Sequence, residues 1–94
     1  MIVRIVRMSF KQDAVDAFLK NFKDNKQKIR KSVGCSHLEL MQDLNDPTVF
    51  TTHSHWDNEE CLNGYRNTEL FKNVWKKTKV LFSDKPIAHT YTIV

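Results

Sequence analysis

The sequence predicts an α+β fold in which four strands form one antiparallel sheet and the helices cover one of its faces. A chain of 94 residues suffices for a single domain, 1–94. Apolar positions alternate with period two in four segments and follow three-and-four spacing in the segments between them. The order is therefore β, α, β, β, α, β, with the second helix in two pieces. Since each strand–helix–strand half crosses over right-handedly, the compact arrangement is the ferredoxin-like split βαβ.

The first half of the pattern is a strand followed by a long helix. Residues 2–9, IVRIVRMS, are β-branched and apolar, which is typical of a strand. Residues 12–31 place apolar side chains at helical spacing, and Gly34 stands where the chain leaves the helix for the next strand. One face of the first strand carries Ile2, Arg4, Val6 and Met8.

Two segments around a short polar turn predict a β-hairpin in the middle of the chain. Residues 35–43 alternate, the turn LNDP combines Asn, Asp and Pro, and residues 48–56 are rich in β-branched and aromatic types. With a four-residue loop, Asp43 lies opposite Thr48, and opposed residues share a sheet face. The face that contains Trp56 then also carries Cys35, His37, Glu39, Met41, Phe50, Thr52 and Ser54.

The second half predicts two consecutive helices. Asp57 and Glu60 fit a capping box at the start of a short helix that ends around 64–67. A second helical run, capped by Asn67 or Thr68, carries an apolar stripe and is stopped by the sequence SDKP. Two helices in succession on one side of the sheet are the expected result.

The last strand, 87–94, completes a sheet whose second face has no helix to cover it. A large exposed apolar face is costly in water. A small domain also buries a modest share of its surface. We therefore expect a homodimer that joins two sheets face to face.

A pocket is predicted between the sheet and the helices. Trp56 directly precedes the helix start, so its face of the hairpin is expected to pack against the helices. The four polar side chains of that face would then need hydrogen-bond partners or water, and a small cavity above them is the default ligand site. The alternative is an ordinary aromatic core over mutually satisfied polar groups. The four are His37, Glu39, Thr52 and Ser54, and the aromatic roof consists of Phe18, Phe22, Tyr65, Phe71 and Trp75.

A metal site is not predicted, although two histidines have suggestive spacing. His53 and His55 lie on one strand face, and His89 on the last strand offers a third donor. Zinc needs about four donors and a positioned second shell, so the H-x-H spacing alone defines no site. The register places the pair on the face away from the pocket. We expect histidines that face an interface or solvent, and no metal.

Charge and cysteine usage bear on partners and location. The net charge of +4 is concentrated in residues 11–31, which carry seven basic and three acidic residues. No aromatic residues interleave with these lysines, so a solvated helix face is favoured over a nucleic-acid surface.

No apolar run is long enough to span a membrane. Arg4 and Arg7 interrupt the apolar start, which does not fit a secretion signal, and neither cysteine belongs to a CxxC pair. We expect a mature chain that begins at Met1 and stays in the cytoplasm with reduced thiols.

A series of loose motifs occurs in a specific order along the chain. They are Gly34-Cys35 at the start of the second strand, Asp46-Pro47 in the turn, Trp56 closing the third strand, Glu59-Glu60 at the helix entry, and the polar-aromatic segment from Tyr65 to Phe71. With these motifs the chain resembles the antibiotic biosynthesis monooxygenase (ABM) domain family over nearly its whole length. The resemblance implies a dimeric ferredoxin-like α+β barrel.

The resemblance also suggests a chemistry. Family members include cofactor-independent monooxygenases of polyphenolic or quinol substrates, heme-degrading enzymes, and proteins without a known reaction. In the oxidative members the electron-rich substrate supplies the reducing power for O₂, while the pocket provides proton transfer and a dry enclosure. The heme-degrading branch has a histidine ligand where this chain has Trp75, an Asn where it has Val6, and a Trp where it has Tyr65. These departures disfavour heme degradation, and no cofactor is expected. Quinol-oxidising relatives often have a histidine where this chain has Tyr65.

The combined prediction is a cofactor-independent monooxygenase that acts with O₂ on a small aromatic, quinol-type molecule. His37 is assigned to proton transfer and Tyr65 to polar anchoring, and these two form the predicted catalytic pair. The alternative is a non-catalytic ligand-binding or dimerisation module of the same fold. The predicted substrate-binding residues are Glu39, Ser54, Phe71 and Trp75.

Overall fold

The computed structural model describes all 94 residues and confirms the predicted α+β, ferredoxin-like architecture. Four strands form one antiparallel sheet in the order β2-β3-β1-β4. A 3-10 turn at Gln12–Ala14 leads into the first helix, and the second helical segment is divided in two as predicted. The elements are β1 Ile2–Ser9, α1 Val15–Arg30, β2 Cys35–Gln42, β3 Val49–Trp56, α2 Glu59–Arg66, α3 Glu69–Lys79 and β4 Ile87–Thr92.

The core between sheet and helices consists of two separate apolar clusters. One lies toward the hairpin-turn end of β3 and is built on stacked and tilted phenylalanine rings, with Phe10 and Phe18 centroids 4.0 Å apart. The other surrounds Trp56 where β3 ends and α2 begins, and Leu62 packs on it from the helix. Because the two clusters do not meet in one continuous core, the region between them is where a cavity can form. The first cluster comprises Met8, Phe10, Phe18 and Phe50, and the second comprises Cys35, Trp56 and Leu62.

A β-bulge at the start of β2 changes the predicted hairpin register. Cys35 pairs with Trp56 as expected, but the pairing shifts between Cys35 and His37, so His37 lies opposite His55 rather than Ser54. An extra residue on one strand moves every following side chain of that strand to the other face. The helix-facing side of β2 therefore carries Leu38 and Leu40. His37, Glu39 and Met41 face the opposite side.

The two later helices begin at short polar caps. The side chain of Asn58 accepts a hydrogen bond from the Cys61 backbone N–H at 2.9 Å and caps α2. The cap predicted at Asp57 is wrong by one position. The backbone N–H of Asp57, which Glu60 was expected to bind, is instead bonded to the Gly34 carbonyl at 2.8 Å. Thr68 caps α3 by accepting from the Phe71 N–H at 3.1 Å. The caps fix where each helix starts and so fix the position of the aromatic residues on them.

Gly34 occupies a position that only glycine suits. Its φ is +80°, in the left-handed region that L side chains rarely adopt. A Cβ built there would also lie 2.5 Å from Cys61 Sγ and 2.6 Å from Cys61 Cβ. The missing side chain therefore lets the loop after α1 approach α2 closely, next to the Trp56 cluster.

The sheet face opposite the helices has no covering element within the chain. We call this the outer face; it includes Ile5 from β1 and His89 from β4, which pair across the ladder. Ile87 and Tyr91 are among the exposed large hydrophobic residues, at 51% and 54% exposed. None of the helices combines the length and the apolar character that crossing a lipid bilayer requires.

Candidate functional site

A cavity of about 370 Å³ lies between the inner face of the sheet and the three helices. It opens between the two core clusters, with Met8 and Phe18 on one side and Trp56 and Leu62 on the other. Thirteen of its nineteen lining residues are hydrophobic. A cavity of this volume, mostly apolar with a few polar groups, is typical of a small-molecule site.

Four aromatic rings form one wall of the cavity. Trp56 stacks on Tyr65 with centroids 5.0 Å apart and planes 25° from parallel. Tyr65 meets the edge of Phe71 at 5.2 Å, and Phe71 stacks on Trp75 at 6.0 Å with planes 10° apart. The wall presents π faces and edges from three consecutive elements, β3, α2 and α3. Such a surface suits a flat aromatic molecule, since offset and edge contacts between rings are favourable.

Tyr65 adds the polar end of this wall. Burial, with a smaller contribution from the nearby Cys35, raises the pKa of Tyr65 to about 12. The phenol therefore keeps its proton at neutral pH. Its hydroxyl makes no hydrogen bond within the protein and is not sealed from the cavity. Tyr65 is consequently available as a neutral hydrogen-bond donor, and it is not a base.

Two arginines also line the cavity, and neither is among the site residues predicted from the sequence. Arg4 lies on the inner face of β1 and donates from Nη1 to Thr90 Oγ1 at 2.7 Å, while Arg66 reaches in from the last turn of α2. Burial, followed by the positive charge of Arg66, lowers the pKa of Arg4. No aspartate or glutamate lines the cavity. The cavity therefore carries two positive charges without an internal counter-ion.

The remaining polar lining comes from hydroxyl side chains. Ser54 is buried and its Oγ accepts a hydrogen bond from Trp56 Nε1 at 2.9 Å, which leaves the serine proton free to be donated. Thr78 donates to the Val74 carbonyl at 2.7 Å and accepts from Asn21, so its hydrogen-bonding capacity is used within the protein. Thr52 lines the sheet side of the cavity beside Ser54. Of these hydroxyls, that of Ser54 accepts from Trp56 and can still donate its proton to a ligand.

The structure brings four of the six predicted site residues together and separates the other two. The inward group comprises Ser54, Tyr65, Phe71 and Trp75, all of which line the cavity. The placement predicted for His37 and Glu39 is wrong: both lie on the outer face, because the bulge after Cys35 reverses the faces of β2. Leu38 takes the place beside Ser54 that was predicted for His37. The floor of the cavity is consequently less polar than expected.

A signal for the missed arginine was present in the sequence. The alternation of β1 places Arg4 on the same face as Val6 and Met8, and that face packs under the helices. A charged residue on a predicted core face is informative, because charged side chains are rarely buried unless they have a partner. Arg66 had no comparable signal, because it lies at the exposed end of a short helix.

The outer face carries a compact group of ionisable side chains, which we call the histidine cluster: His37, Glu39, His53 and His55. His53 Nδ1 lies 2.7 Å from Glu39 Oε1, and His37 Nε2 lies 3.5 Å from the same oxygen. The Nε2 atoms of His55 and His53 are 2.9 Å apart. Hydrogen bonds from His53 and then His37 lower the pKa of Glu39. Burial, followed by the charges of His53 and His37, lowers the pKa of His55.

The cavity and the cluster offer different chemistries on opposite faces of one sheet. The cavity can enclose an aromatic ring, donate hydrogen bonds from Tyr65 and Ser54, and stabilise negative charge at Arg4 and Arg66. It contains no histidine, aspartate, glutamate or lysine, so no lining side chain is a general base near neutral pH. The cluster has bases but no enclosing pocket. The candidate ligand site is therefore the cavity.

Comparisons with known proteins bear on the family and the fold. The family model for antibiotic biosynthesis monooxygenase matches residues 1–77. No curated protein matches the sequence. A crystal structure of an antibiotic biosynthesis monooxygenase is similar with a TM-score of 0.94 at 21% identity, over 100% of this chain and 99% of that one.

Two further solved structures have the same fold. A conserved protein from Methanosarcina mazei Go1 is similar with a TM-score of 0.91 at 21% identity, over 97% of this chain and 91% of that one. Rv0793 from Mycobacterium tuberculosis gives a TM-score of 0.91 at 14% identity, over 99% of this chain and 94% of that one. At such identities the likeness shows the fold alone.

Proposed function

The chain belongs to the antibiotic biosynthesis monooxygenase family, and from this premise we propose that it oxidises a small, quinol-type aromatic molecule with O₂. The substrate loses two hydrogen atoms and gains one oxygen atom, and the second oxygen atom leaves as water. The substrate itself is the electron donor, so the reaction as proposed takes no electrons from a cofactor. The protein's part is to bind the ring, favour its electron-rich ionised form and exclude water.

The observation that carries this proposal is the pair of arginines in a mostly apolar cavity. A phenol transfers an electron to O₂ more readily once it has lost its proton. Arg4 and Arg66 stabilise that anion because they place two positive charges in a cavity without a carboxylate. Burial, followed by the positive charge of Arg66, lowers the pKa of Arg4, and a bound anion would offset both effects.

The other lining groups orient the ring. Tyr65 keeps its proton and donates a hydrogen bond to a substrate oxygen, and Ser54 offers a second donor from the sheet side. Phe71 and Trp75 stack on the substrate plane and close the cavity against water. In this mechanism the substrate proton leaves to solvent at the cavity mouth, because the arginines stabilise the anion that remains.

One observation favours the alternative, a non-catalytic module that binds an aromatic anion. The predicted proton-transfer residue, His37, lies on the outer face, and no other base lines the cavity. A binding module would need the same stacking wall and the same arginines, but it would leave the ligand unchanged. The two functions therefore share a ligand class and differ only in turnover.

The test is O₂ consumption by the purified protein over a panel of quinols and polyphenols, with labelled dioxygen to follow one atom into the product. We expect turnover that Arg4→Gln reduces by roughly 10- to 100-fold, the size of a lost charge-assisted hydrogen bond. Arg7→Gln is the matched control, since Arg7 lies on the same strand but is exposed on the outer face. Turnover that survives Arg4→Gln unchanged would contradict the mechanism.

Ligand titration separates the alternative from an inactive preparation. Saturable binding of panel members, weakened by Arg4→Gln and accompanied by no O₂ consumption, would favour the binding module. The absence of both binding and turnover across the panel would contradict both functions.

We also propose that the protein acts as a homodimer in the cytoplasm. The β1–β4 side of the outer face presents Ile87 and Tyr91 to solvent. The same side of a second copy would cover them and leave the histidine cluster on the β2–β3 side open. Two free cysteines, Cys35 and Cys61, agree with a reducing compartment.

A further inference from the structure

We propose that the outer face holds a divalent transition-metal site, of the kind that takes Zn²⁺, with His37, Glu39 and His53 as its ligands. This site lies on the side of the sheet away from the cavity and does not depend on the proposed oxidation. The β2 bulge creates it, because the shift in register turns His37 and Glu39 toward β3. No continuous sequence motif predicts this site, because its three ligands come from two different strands.

The donor atoms lie close enough together to bind one ion after small side-chain movements. Atoms that bind a tetrahedral zinc at about 2.0–2.2 Å lie roughly 3.3–3.6 Å from one another. The three donor atoms here lie within 4.8 Å of one another. His37 Nε2 is 3.5 Å from Glu39 Oε1, which is already the required spacing. His53 Nδ1, at 2.7 Å from the same oxygen, need only move apart by less than 1 Å once the ion replaces the shared proton.

The chemistry of the donors selects the class of metal. Two imidazoles and one carboxylate are ligands for zinc and similar first-row ions, whereas Ca²⁺ and Mg²⁺ prefer sets made of oxygen alone. Three protein ligands leave a fourth position for water or another group. The side chains of His37, Glu39 and His53 are 41%, 44% and 27% exposed, so an ion can reach them.

His55 supplies the support that a zinc-bound histidine needs. A histidine ligand almost always donates its other ring N–H to a nearby acceptor, which fixes the orientation of the ring. If His53 binds the ion through Nδ1, its proton lies on Nε2, 2.9 Å from His55 Nε2. His55 is therefore a positioning residue that accepts this hydrogen bond, and it is not a ligand.

The experiment is a metal titration of the full chain after chelator treatment. Co²⁺ is the first probe, because its visible absorption reports coordination by nitrogen and oxygen ligands, and Zn²⁺ is then added to displace it. We expect saturable binding of one ion per chain and a rise in the midpoint of thermal unfolding with Zn²⁺. Glu39→Gln, which keeps the shape of the side chain, and His53→Ala should each abolish saturable binding.

Two further variants distinguish this site from general histidine chemistry. His55→Ala should weaken affinity roughly 10- to 100-fold, as loss of a second-shell partner does. His89→Ala is the matched control, because this fourth histidine lies on the same face two strands from His53. Circular dichroism without metal checks that each variant is folded.

Three outcomes would overturn the proposal. The first is that the parent chain binds neither ion with saturation, which would leave the cluster as a hydrogen-bonded network. The second is that Glu39→Gln and His53→Ala retain the parent's affinity while folded. The third is that His89→Ala loses as much affinity as they do.

Discussion

Tyr65 is the residue whose environment sets the character of the cavity. Trp56 lies flat against one side of its ring and Phe71 meets the ring by an edge, so the phenol is surrounded by apolar surface. Burial is the main reason that its pKa rises to about 12. The histidine that relatives often carry at this position could act as a base, whereas this phenol can only donate. In the proposed oxidation, proton removal from the substrate accordingly relies on charge stabilisation by the arginines.

The raised pKa of Tyr65 predicts a loss of stability at high pH. In the unfolded chain a tyrosine loses its proton near pH 10, whereas folded Tyr65 keeps it up to about pH 12. The stability from this group is complete below the unfolded pKa and is lost as pH rises through the folded one, by about 2–3 kcal/mol in total. The measurement is the free energy of unfolding of the parent and of Tyr65→Phe across that range. The parent should lose stability relative to the variant, and a constant difference would contradict the prediction.

A single residue, Ser36, decides which chemistry each face of β2 receives. It is the extra residue between the paired positions Cys35 and His37. Without it, His37 and Glu39 would point into the cavity, as the alternating pattern predicts. With it, they join His53 on the outer face and leave Leu38 to line the cavity. The cavity thereby loses its bases, and the outer face gains a candidate metal site.

At the scale of elements, the junction between α1, β2 and α2 holds the Trp56 end of the cavity in place. The Gly34 carbonyl accepts from the Asp57 N–H at 2.8 Å, and Arg30 Nη1 donates to the Cys35 carbonyl at 2.6 Å. α2 then begins at its Asn58 cap and packs Leu62 onto Trp56. The position of Tyr65 on the last turn of α2 follows from these contacts, which lie on residues distant from it in sequence.

The two glycines of the chain should respond in opposite ways to alanine. Gly34→Ala places a Cβ at a φ of +80° and against Cys61, so it should lower the free energy of unfolding by about 1–3 kcal/mol from backbone strain alone. Gly64→Ala is the matched control: it lies within α2 with no atom within 4 Å of the added Cβ. It should raise stability by about 0.5–1 kcal/mol, because alanine favours a helix. Chemical denaturation measures both. Equal effects of the two substitutions would refute this account of Gly34.

At the scale of the whole molecule, the chain has one covered sheet face and one bare face. The helices lie on the inner face, and α1 is tied to α3 by Asn21, whose side chain donates to the Val74 carbonyl and to Thr78. The outer face has no such cover. Its β1–β4 side is mostly apolar, with Arg7 and His89 among its residues, while its β2–β3 side holds the histidine cluster. Both the proposed dimer and the proposed metal site use this face.

The proposed homodimer predicts that one charge on the outer face changes the oligomeric state. Tyr91→Lys places an ammonium group on the apolar side of that face, where burial against a second copy would be costly. Sedimentation should find the parent as a dimer and the variant as a monomer at the same concentration. Val80→Lys is the control, since Val80 is 63% exposed just after α3, on the helix side. A monomeric parent, or a dimer unaffected by Tyr91→Lys, would contradict the proposal.

The sequence by itself determined the elements, their order and the aromatic side of the cavity. Period-two and helical spacing are local properties, and the right-handed crossover leaves one compact topology for this order. The inward direction of Trp56 followed from its place before a helix. The positions of Phe71 and Trp75 followed from the apolar stripe of α3, which must face the sheet.

Only the tertiary structure decided the register of β2 and the charge of the cavity. With or without a bulge, β2 can pair with β3 in two registers that differ by one residue. The alternation of apolar and polar residues alone does not distinguish these registers. The inward position of Arg4 was present in the β1 pattern, but its meeting with Arg66 required α2 to dock over that strand. His37, Glu39 and His53 likewise come together across two strands. Contacts between distant segments depend on how elements pack, which is why the cavity was predictable in its rings and not in its charges.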